Sequence, residues 1–363
     1  MQILSLNFLM YTVGGIWRPI KWCSSGLKVL YNIFTILVLL SLYFLVLTQF
    51  LDIVLIVDNI DDFTTNSLML LTIVAVCCKA TLVVVRRNAI INLVRMLLKD
   101  PYKLRDADEM AIQRKFDTFI RSYSIKYSLL CTTSLTGVTI GSVLNIIQGY
   151  LPYRVWLPYD SNIATMFWIT SMQQIISLIF ATVINVGTET LISGFILQTC
   201  AQIEIFQNRL HKLMINQTTA YMKQSLASSC KGTSIFSEYI RHHLKIYDSI
   251  IVLCTSVYYL SQHITESGSA TFIVYTIGMF VQIYIYCWSG NEAILKSTSV
   301  GDVIYQLDWH LLSVSEKKDL LMIMIRTTIP IKFTSSFLIT LSHESYSNIL
   351  KTSYSAFNLL QRS

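Results

Sequence analysis

Apolar stretches of about 20 residues recur along this chain of 363 residues. The clearest is Val29–Asp52, which reads VLYNIFTILVLLSLYFLVLTQFLD. A helix of that length crosses a bilayer, and lipid accepts it because its backbone polar groups bond to each other within the helix. The chain is 53% hydrophobic and only 13% charged, which is too apolar for ordinary soluble domains. The sequence therefore predicts an all-α membrane protein.

Seven membrane spans are predicted from these stretches, and the fourth is expected to continue as a helix through Leu197–Met214. The spans lie near 29–52, 66–87, 127–149, 165–195, 246–262, 270–294 and 341–360. The expected organisation is a cytosolic N-terminal arm (1–28), spans one to four with an outer loop at 150–164 (29–199), a cytosolic connection (200–245), spans five and six (246–294), a cytosolic anchor helix (295–332), and the seventh helix with the C-terminus (333–363).

The N-terminal arm contains an apolar stretch, Ile3–Ile16, with no basic residue before it. Its basic residues follow the stretch, which is the reverse of the order in a secretory signal peptide. We therefore favour an amphipathic helix that lies at the membrane surface, with a cleaved signal as the alternative.

The distribution of Lys and Arg predicts the orientation, because cytosolic connections carry an excess of these residues. Connections 86–126, 200–245 and 296–332 hold ten, six and five of them, and the arm holds three. The remaining connections hold only Arg154. We expect a cytosolic N-terminus and an extracellular C-terminus. The net charge of +7 then reflects topology in the lipid bilayer, and no nucleic-acid partner is expected.

Several classes of site find no support in the sequence. All eight cysteines fall in predicted spans or cytosolic connections, so no disulfide framework is expected. The pair His242-His243 would point about 100° apart on a helix and lacks further ligands, which argues against a metal site. The sequon at Asn216 lies in a predicted cytosolic connection and should stay unmodified. No nucleophile elbow, phosphate loop or cofactor motif is found, so neither an enzyme nor a cofactor is expected.

The last predicted span, Leu341–Leu360, has a polar face. At about 100° per residue, its polar side chains fall within one arc of the helix and apolar side chains oppose them. A polar stripe on a spanning helix faces other protein or water, because lipid does not solvate it. It could bond to neighbouring helices inside a bundle or line an aqueous pore, and periodicity alone leaves both open. The stripe consists of Ser347, Lys351, Tyr354, Ser355, Asn358 and Arg362.

Seven spans also suggest a G-protein-coupled receptor, but that class requires a cytosolic C-terminus. The chain has no Asn-Pro pair for the NPxxY signature of the seventh helix. No Asp/Glu-Arg-Tyr stands beside the third span, and no predicted outer loop contains a cysteine. These features argue against a metabotropic receptor.

The ending ILKTSYSAFNLL resembles the closing signature of insect odorant receptors. The block 287–336 is similar to the most recognisable part of that family, and the outer stretch LPYRVWLPYD (151–160) is also family-like. Ile339-Thr340 stands where many members have a proline, which leaves the start of the last helix open. Landmarks of the block are Gly290-Asn291-Glu292, Tyr305, Asp308-Trp309 and Pro330.

The resemblance implies a subunit of an odorant-gated cation channel. It implies four subunits around one pore, in which a divergent receptor such as this chain joins a shared co-receptor in the plasma membrane of an olfactory neuron dendrite. The last helix of each subunit would line the pore, so the polar stripe acquires a function. The related gustatory receptors, with tastants as ligands, are the alternative, although the ending SYSAFNLL argues against them.

The same resemblance implies an anchor between subunits, formed by the cytosolic ends of helices four to seven. Ser313-Val314-Ser315-Glu316 is typical of a capping box before the apolar run Leu320–Ile325, and Pro330 would end that helix. So apolar a cytosolic helix needs partners, either in a neighbouring subunit or in its own chain. Candidate anchor residues are Gly290, Asn291, Glu292, Tyr305, Asp308, Trp309 and Leu320.

Volatile odorants are small and mostly apolar, so their pocket should be apolar with few polar groups. The resemblance places it among helices two to six, toward the outer face. Asn145 and Tyr275 could orient a carbonyl or hydroxyl group of a ligand. Candidate odorant contacts are Ile73, Val74, Gly141, Asn145, Trp168, Met172, Phe272, Tyr275 and Met279.

Lys79 lies near the middle of the second span, where a charge is costly and marks a candidate functional residue. Glu189, in the inner half of the fourth span, is the expected partner. The alternative is that Lys79 extends toward the cytosol, since Arg86 lies only two turns away.

Overall fold

A computed structural model describes residues 4–19, 24–57, 60–99, 102–159, 163–217, 269–306, 314–335 and 339–362. Within these ranges the strands β1 (Thr334–Ser335) and β2 (Ile339–Thr340) form a short antiparallel hairpin. The helices are α1 (Ser5–Val13), α2 (Ser25–Leu55), α3 (Ile60–Val85), α4 (Arg87–Leu97), α5 (Ala107–Ile147), α6 (Ala164–Gln217), α7 (Ser269–Tyr305), α8 (Val314–Thr327) and α9 (His343–Arg362).

Helices occupy six of the seven predicted spans, and the predicted all-α membrane fold is confirmed. In the described part of the chain, α2, α3, α5 and α6 contain segments long and apolar enough to cross a membrane. The fifth span at 246–262, the pair His242-His243 and the capping residue Ser313 lie outside the described residues.

Helices α5 and α6 are much longer than a bilayer is thick. Their 41 and 54 residues make rods of about 60 Å and 80 Å at 1.5 Å per residue. The predicted continuation of span four beyond residue 195 is helical. The apolar pattern places span three at 127–149 and does not reveal that α5 begins at Ala107. The local signals there are the extended backbone of Asp106 and the acidic residues Asp108 and Glu109 in the first turn.

Helix α6 is the centre of the bundle, in contact with α1, α2, α3, α5 and α7. Its segment 184–201 is buried on almost every side, because neighbouring helices surround it. Leu191 and Ile196 are completely buried there. The positions of α2, α3, α5 and α7 can therefore be described relative to α6.

The N-terminal helix α1 runs antiparallel along α6. A Cβ placed on Gly187 would lie 2.9 Å from the Tyr11 ring, and one placed on Gly194 would lie 2.6 Å from Leu4. The two glycines, seven residues apart on α6, therefore admit two large side chains that are also seven residues apart, Tyr11 of α1 and Leu4 immediately before it. The arm thus packs beside the inner half of span four.

The position of the arm at the membrane surface stays a prediction, and the structure adds that one face of α1 packs into the core. Asn7 is buried, and its side chain donates to Ser124 on α5 at 3.4 Å. Only the opposite side of α1 remains open, where Leu9 and Val13 are about three-fifths exposed. The surface description therefore applies to one face of α1, because the other face belongs to the core.

The hairpin leads from α8 into the last helix. α8 ends at Thr327, and Pro330 lies in the extended segment after it, as expected of a residue that cannot continue a helix. The N–H of Leu341 donates to the carbonyl of Phe333 at 2.8 Å, and both side chains are buried. The last helix begins at His343, two residues after the predicted start of span seven.

Candidate functional site

Helix α9 has one packed face and one exposed face. Ile349 and Ser353 on the packed face are 4% and 7% exposed, whereas Tyr354 is 67% exposed. The polar stripe is on the open side: Ser347, Lys351, Tyr354 and Ser355 are exposed, and Asn358 is half-buried. The polar side chains of α9 are therefore available to water or to another chain, and the apolar face holds the helix to its own subunit.

The packed face of α9 lies on α7. Ile349 forms a buried cluster with Ile283 and Cys287 of α7, and Tyr346 packs against it. The rings of Tyr346 and Tyr284 meet edge to face with centroids 5.5 Å apart. Any movement of α7 in this region must displace α9 or break this cluster.

Gly290 permits a second close approach between α7 and the start of α9. A Cβ at this position would overlap both the Cβ and the carbonyl oxygen of Leu341. Leu341 itself is buried. Gly290 is a candidate anchor residue by resemblance, but its observed contact is with Leu341 of its own chain. Only a residue without a side chain lets the backbone of Leu341 come this close.

A charged network lies inside the bundle, between α3, α6 and α7. Lys79 Nζ bonds to Glu189 Oε1 and donates to Asn185 Oδ1 at 2.7 Å. Gln282 Nε2 donates to the same Glu189 oxygen at 2.8 Å. Lys79 is 6% and Glu189 1% exposed. The expected pairing is present, so Lys79 does not extend toward the cytosol.

Gln282 and Asn185 are the network members that the sequence alone does not single out. Both are polar residues at mid-span depth, which is the signal that could have revealed them. The hydroxyls of Tyr123, Tyr127 and Tyr286 also lie close to the Glu189 carboxylate.

The candidate odorant contacts are distributed over several environments. Ile73 is buried in the main core, and Val74 and Met279 are half-buried. The side chains of Phe272 and Tyr275 lie outside the described residues. Their grouping into one pocket stays a prediction. The candidates on the exposed sides of α5 and α6 are Gly141, Asn145, Trp168 and Met172.

The inward face of outer α6 is polar, a feature that a search for aromatic and Met residues overlooks. Gln174 accepts from the backbone N–H of Tyr153 at 3.0 Å and donates to its carbonyl at 3.2 Å. The hydroxyls of Thr170 and Tyr159 lie 2.7 Å apart. The loop between α5 and α6 is therefore bound to the start of α6.

The candidate anchor residues divide between the interior of the chain and its surface. Leu320 is buried against Leu210, Val300 and Ile304 of its own chain. Tyr305 is 75% exposed. Asn291 and Glu292 are half-buried, and Asp308 and Trp309 lie outside the described residues.

Comparison with known proteins tests the resemblance to insect odorant receptors. A family model described as 7tm odorant receptor matches residues 59–354, which is well over half of the chain. This chain belongs to the insect odorant receptor family. It is thus a membrane receptor, and its family consists of receptors rather than enzymes.

Individual relatives of this odorant receptor are distant. Odorant receptor 13a of Drosophila melanogaster is 22% identical over 277 residues, which cover 66% of either chain. Odorant receptor 85f of the same species is 27% identical over 120 residues, covering 33% of this chain and 30% of that protein. The alignments therefore span two thirds or less of these relatives.

The structure of the insect olfactory receptor OR5 from Machilis hrabei in complex with eugenol has a similar fold. Its TM-score is 0.78 at 11% identity, over 99% of this chain and 97% of the other. At that identity the likeness establishes a shared fold.

A cytosolic latch joins the extensions of α5 and α6 in this odorant receptor. Arg209 donates to Glu109 through Nε and Nη2, with both bonds 2.8 Å long. The N–H of Arg105 donates to the same carboxylate at 2.8 Å. The hydrogen bonds from Arg209 lower the pKa of Glu109 below its ordinary value.

Glu109→Gln should lower the free energy of unfolding by about 2 kcal/mol at pH 7, because it removes a charge-assisted bidentate bond. A depressed folded-state pKa stabilises above the unfolded pKa, and the effect is lost as the pH falls through the folded pKa. The difference between wild type and variant should therefore shrink below about pH 4. Thermal unfolding of the solubilised chain at pH 7 and at about pH 3 measures this difference.

The exposed carboxylate of Asp302 on α7 provides the matched control. Asp302→Asn should change unfolding by less than about 0.5 kcal/mol at either pH. An equal loss in both variants would contradict a specific latch at Glu109.

Proposed function

We propose that this odorant receptor is the ligand-binding subunit of an odorant-gated, non-selective cation channel, which it forms with a shared co-receptor. The observation that carries the proposal is the exposed polar stripe of α9, opposite a face packed on α7. A spanning helix with such a stripe is stable only beside water or other protein. Copies of α9 from several subunits would together enclose an aqueous path.

The cytosolic end of the bundle supports assembly with other subunits. Leu320 is buried against its own chain, but Leu321, Met322 and Ile325 of α8 are each more than half exposed. An exposed apolar group of this kind is typical of an interface between proteins. In the proposed assembly, which is tetrameric and sits in the plasma membrane of olfactory dendrites, the co-receptor covers it.

The ligand would be a small volatile organic molecule bound in the outer half of the bundle. Eugenol, the ligand in the OR5 complex, is of this kind. Ile73 and Val74 of α3, with Met279 of α7, are the half-buried or buried candidates nearest the interior. Binding would favour the open arrangement of α9 by its higher affinity for that state.

The function is tested by expressing the chain with a co-receptor and applying an odorant panel to excised patches without nucleotides. Odorant-evoked cation current that requires this chain is the expected result. A response that appears only after GTP is added would instead indicate a metabotropic receptor. A response to tastants alone would indicate the gustatory class.

Lys351→Glu should raise the permeability of divalent relative to monovalent cations by about fivefold. Reversing a unit charge about 8 Å from an ion in water changes the energy of that ion by about 1 kcal/mol per unit charge. Reversal potentials under biionic conditions measure the ratio. Tyr354→Ala and Asn358→Ala should alter selectivity or gating as well.

The control is Lys99→Glu, the same charge reversal at an exposed cytosolic position. It should leave the reversal potential unchanged. Unaltered permeation in all three α9 variants would exclude α9 as the lining of the pore.

A further inference from the structure

The buried charged network ties three helices at a single carboxylate oxygen. Glu189 Oε1 of α6 receives Lys79 from α3 and Gln282 from α7. All three side chains are at most 9% exposed. The position of α7 relative to α3 and α6 is therefore specified by hydrogen-bond geometry as well as by apolar packing.

Stability is a poor explanation for such a network. The desolvation of a buried ion pair offsets most of its attraction, and apolar residues of similar size are often as stable. Apolar contacts tolerate sliding, whereas a hydrogen bond weakens steeply with distance and angle. What the network provides is one defined register between α7 and its neighbours.

The network lies directly beside the surface of α7 on which α9 packs. Gln282 immediately precedes Ile283, which packs with Cys287 against Ile349 of α9. Adjacent positions on a helix point about 100° apart, so one side of α7 faces Glu189 while the next side carries α9. A rotation or translation of α7 at this level is transmitted to α9.

The network also lies close to the candidate ligand contacts. Ile73 is six residues before Lys79 on α3, which is about 9 Å along the helix axis. A ligand that displaces the outer part of α3 would therefore displace Lys79, the group that holds Glu189.

We propose that Lys79, Glu189 and Gln282 form a positioning network that sets the register of α7 and, through α7, the position of α9 in gating. The proposal rests on the function proposed above. These three are positioning residues, because none of them belongs to the exposed stripe of α9 or to the candidate ligand contacts, and they would act on the pore through α7.

Gln282→Leu tests the proposal, because it removes the amide through which α7 donates to Glu189 and leaves the pair of Lys79 and Glu189 intact. Gln207→Leu is the matched control: Gln207 also joins α6 to α7, donating to Ser299 at 2.8 Å, but it lies on the cytosolic side. The first readout is amide hydrogen exchange in α9 of the intact complex in lipid nanodiscs. The second is the ratio of spontaneous to maximal odorant-evoked current, normalised to surface protein.

Gln282→Leu should change both readouts by about tenfold, the effect of a lost hydrogen bond to a charged group. Gln207→Leu should leave both within twofold, and neither variant should move the reversal potential. Unchanged exchange in α9 after Gln282→Leu, or an equal change after Gln207→Leu, would overturn the positioning network. A wild-type complex without odorant-evoked current would overturn the channel function, while the exchange measurement would still decide the network.

Discussion

Lys79→Met should lower the free energy of unfolding by about 3–5 kcal/mol, because it leaves the Glu189 carboxylate buried without its cation. Glu189 is only 1% exposed, so solvent does not screen its charge. The Gln282 amide still donates to the carboxylate but cannot neutralise its charge. The variant should consequently reach the cell surface in much smaller amounts.

The double variant Lys79→Met/Glu189→Met separates the lost charge from the lost packing. It should recover stability to within about 2 kcal/mol of wild type, with the residual loss arising from the Gln282 amide, whose acceptor is gone. Surface labelling and thermal unfolding in nanodiscs measure both quantities. If the double variant were as unstable as Lys79→Met, an unpaired charge would not be the cause.

An exposed lysine provides the comparison for this effect. Lys115 lies 3.7 Å from Glu204, and its side chain is 73% exposed. Lys115→Met should cost less than about 1 kcal/mol, since solvent screens such pairs. A similar loss at both lysines would indicate a general effect of net charge.

Gly290→Ala should have the second large effect. It should weaken the packing of α9 on α7 by about 3 kcal/mol and leave the stability of the other helices unchanged. The added methyl group would overlap a backbone oxygen as well as a side-chain carbon of Leu341. A backbone atom cannot rotate away, so α7 and the hairpin must separate, as in other overpacked sites. The expected result is a normal amount of protein with faster amide exchange in α9 and no odorant-evoked current.

Gly278→Ala is the control on the same helix. Apart from the neighbouring backbone of α7 itself, no atom of the described residues lies within 4 Å of a Cβ placed at Gly278. This change should leave exchange in α9 unaltered and stabilise α7 by about 0.5–1 kcal/mol, because alanine is the better helix former. Unaltered α9 exchange in Gly290→Ala would show that this contact does not hold α9.

The effects of these variants converge on α7. Its inner side meets the charged network through Gln282, and its next side carries Ile283 against α9. Gly290 then admits Leu341 two turns further along. The helix is therefore the mechanical connection between the core and the proposed pore lining.

Features that follow from the preference of apolar side chains for lipid over water could be predicted from the sequence. An apolar run such as Val29–Asp52 has one stable environment, so span positions, the all-α class and the polar stripe of α9 follow from composition and period. Glu189 could be named as a partner for Lys79 because few charges occur at that depth.

Tertiary packing decided the rest, because lipid presents the same environment to every side of a helix. The sequence therefore does not say which side of α6 faces the bundle. Trp168 and Met172 are the predicted ligand contacts on α6, yet both are exposed, and Gln174 is the residue that faces inward. Long-range contacts such as Tyr11 against Gly187 leave no periodic trace at either position. The sequence by itself determined which segments enter the membrane and that Lys79 needs a partner. Only the tertiary structure decided which sides of those segments meet, since that depends on the mutual fit of side chains far apart in the chain.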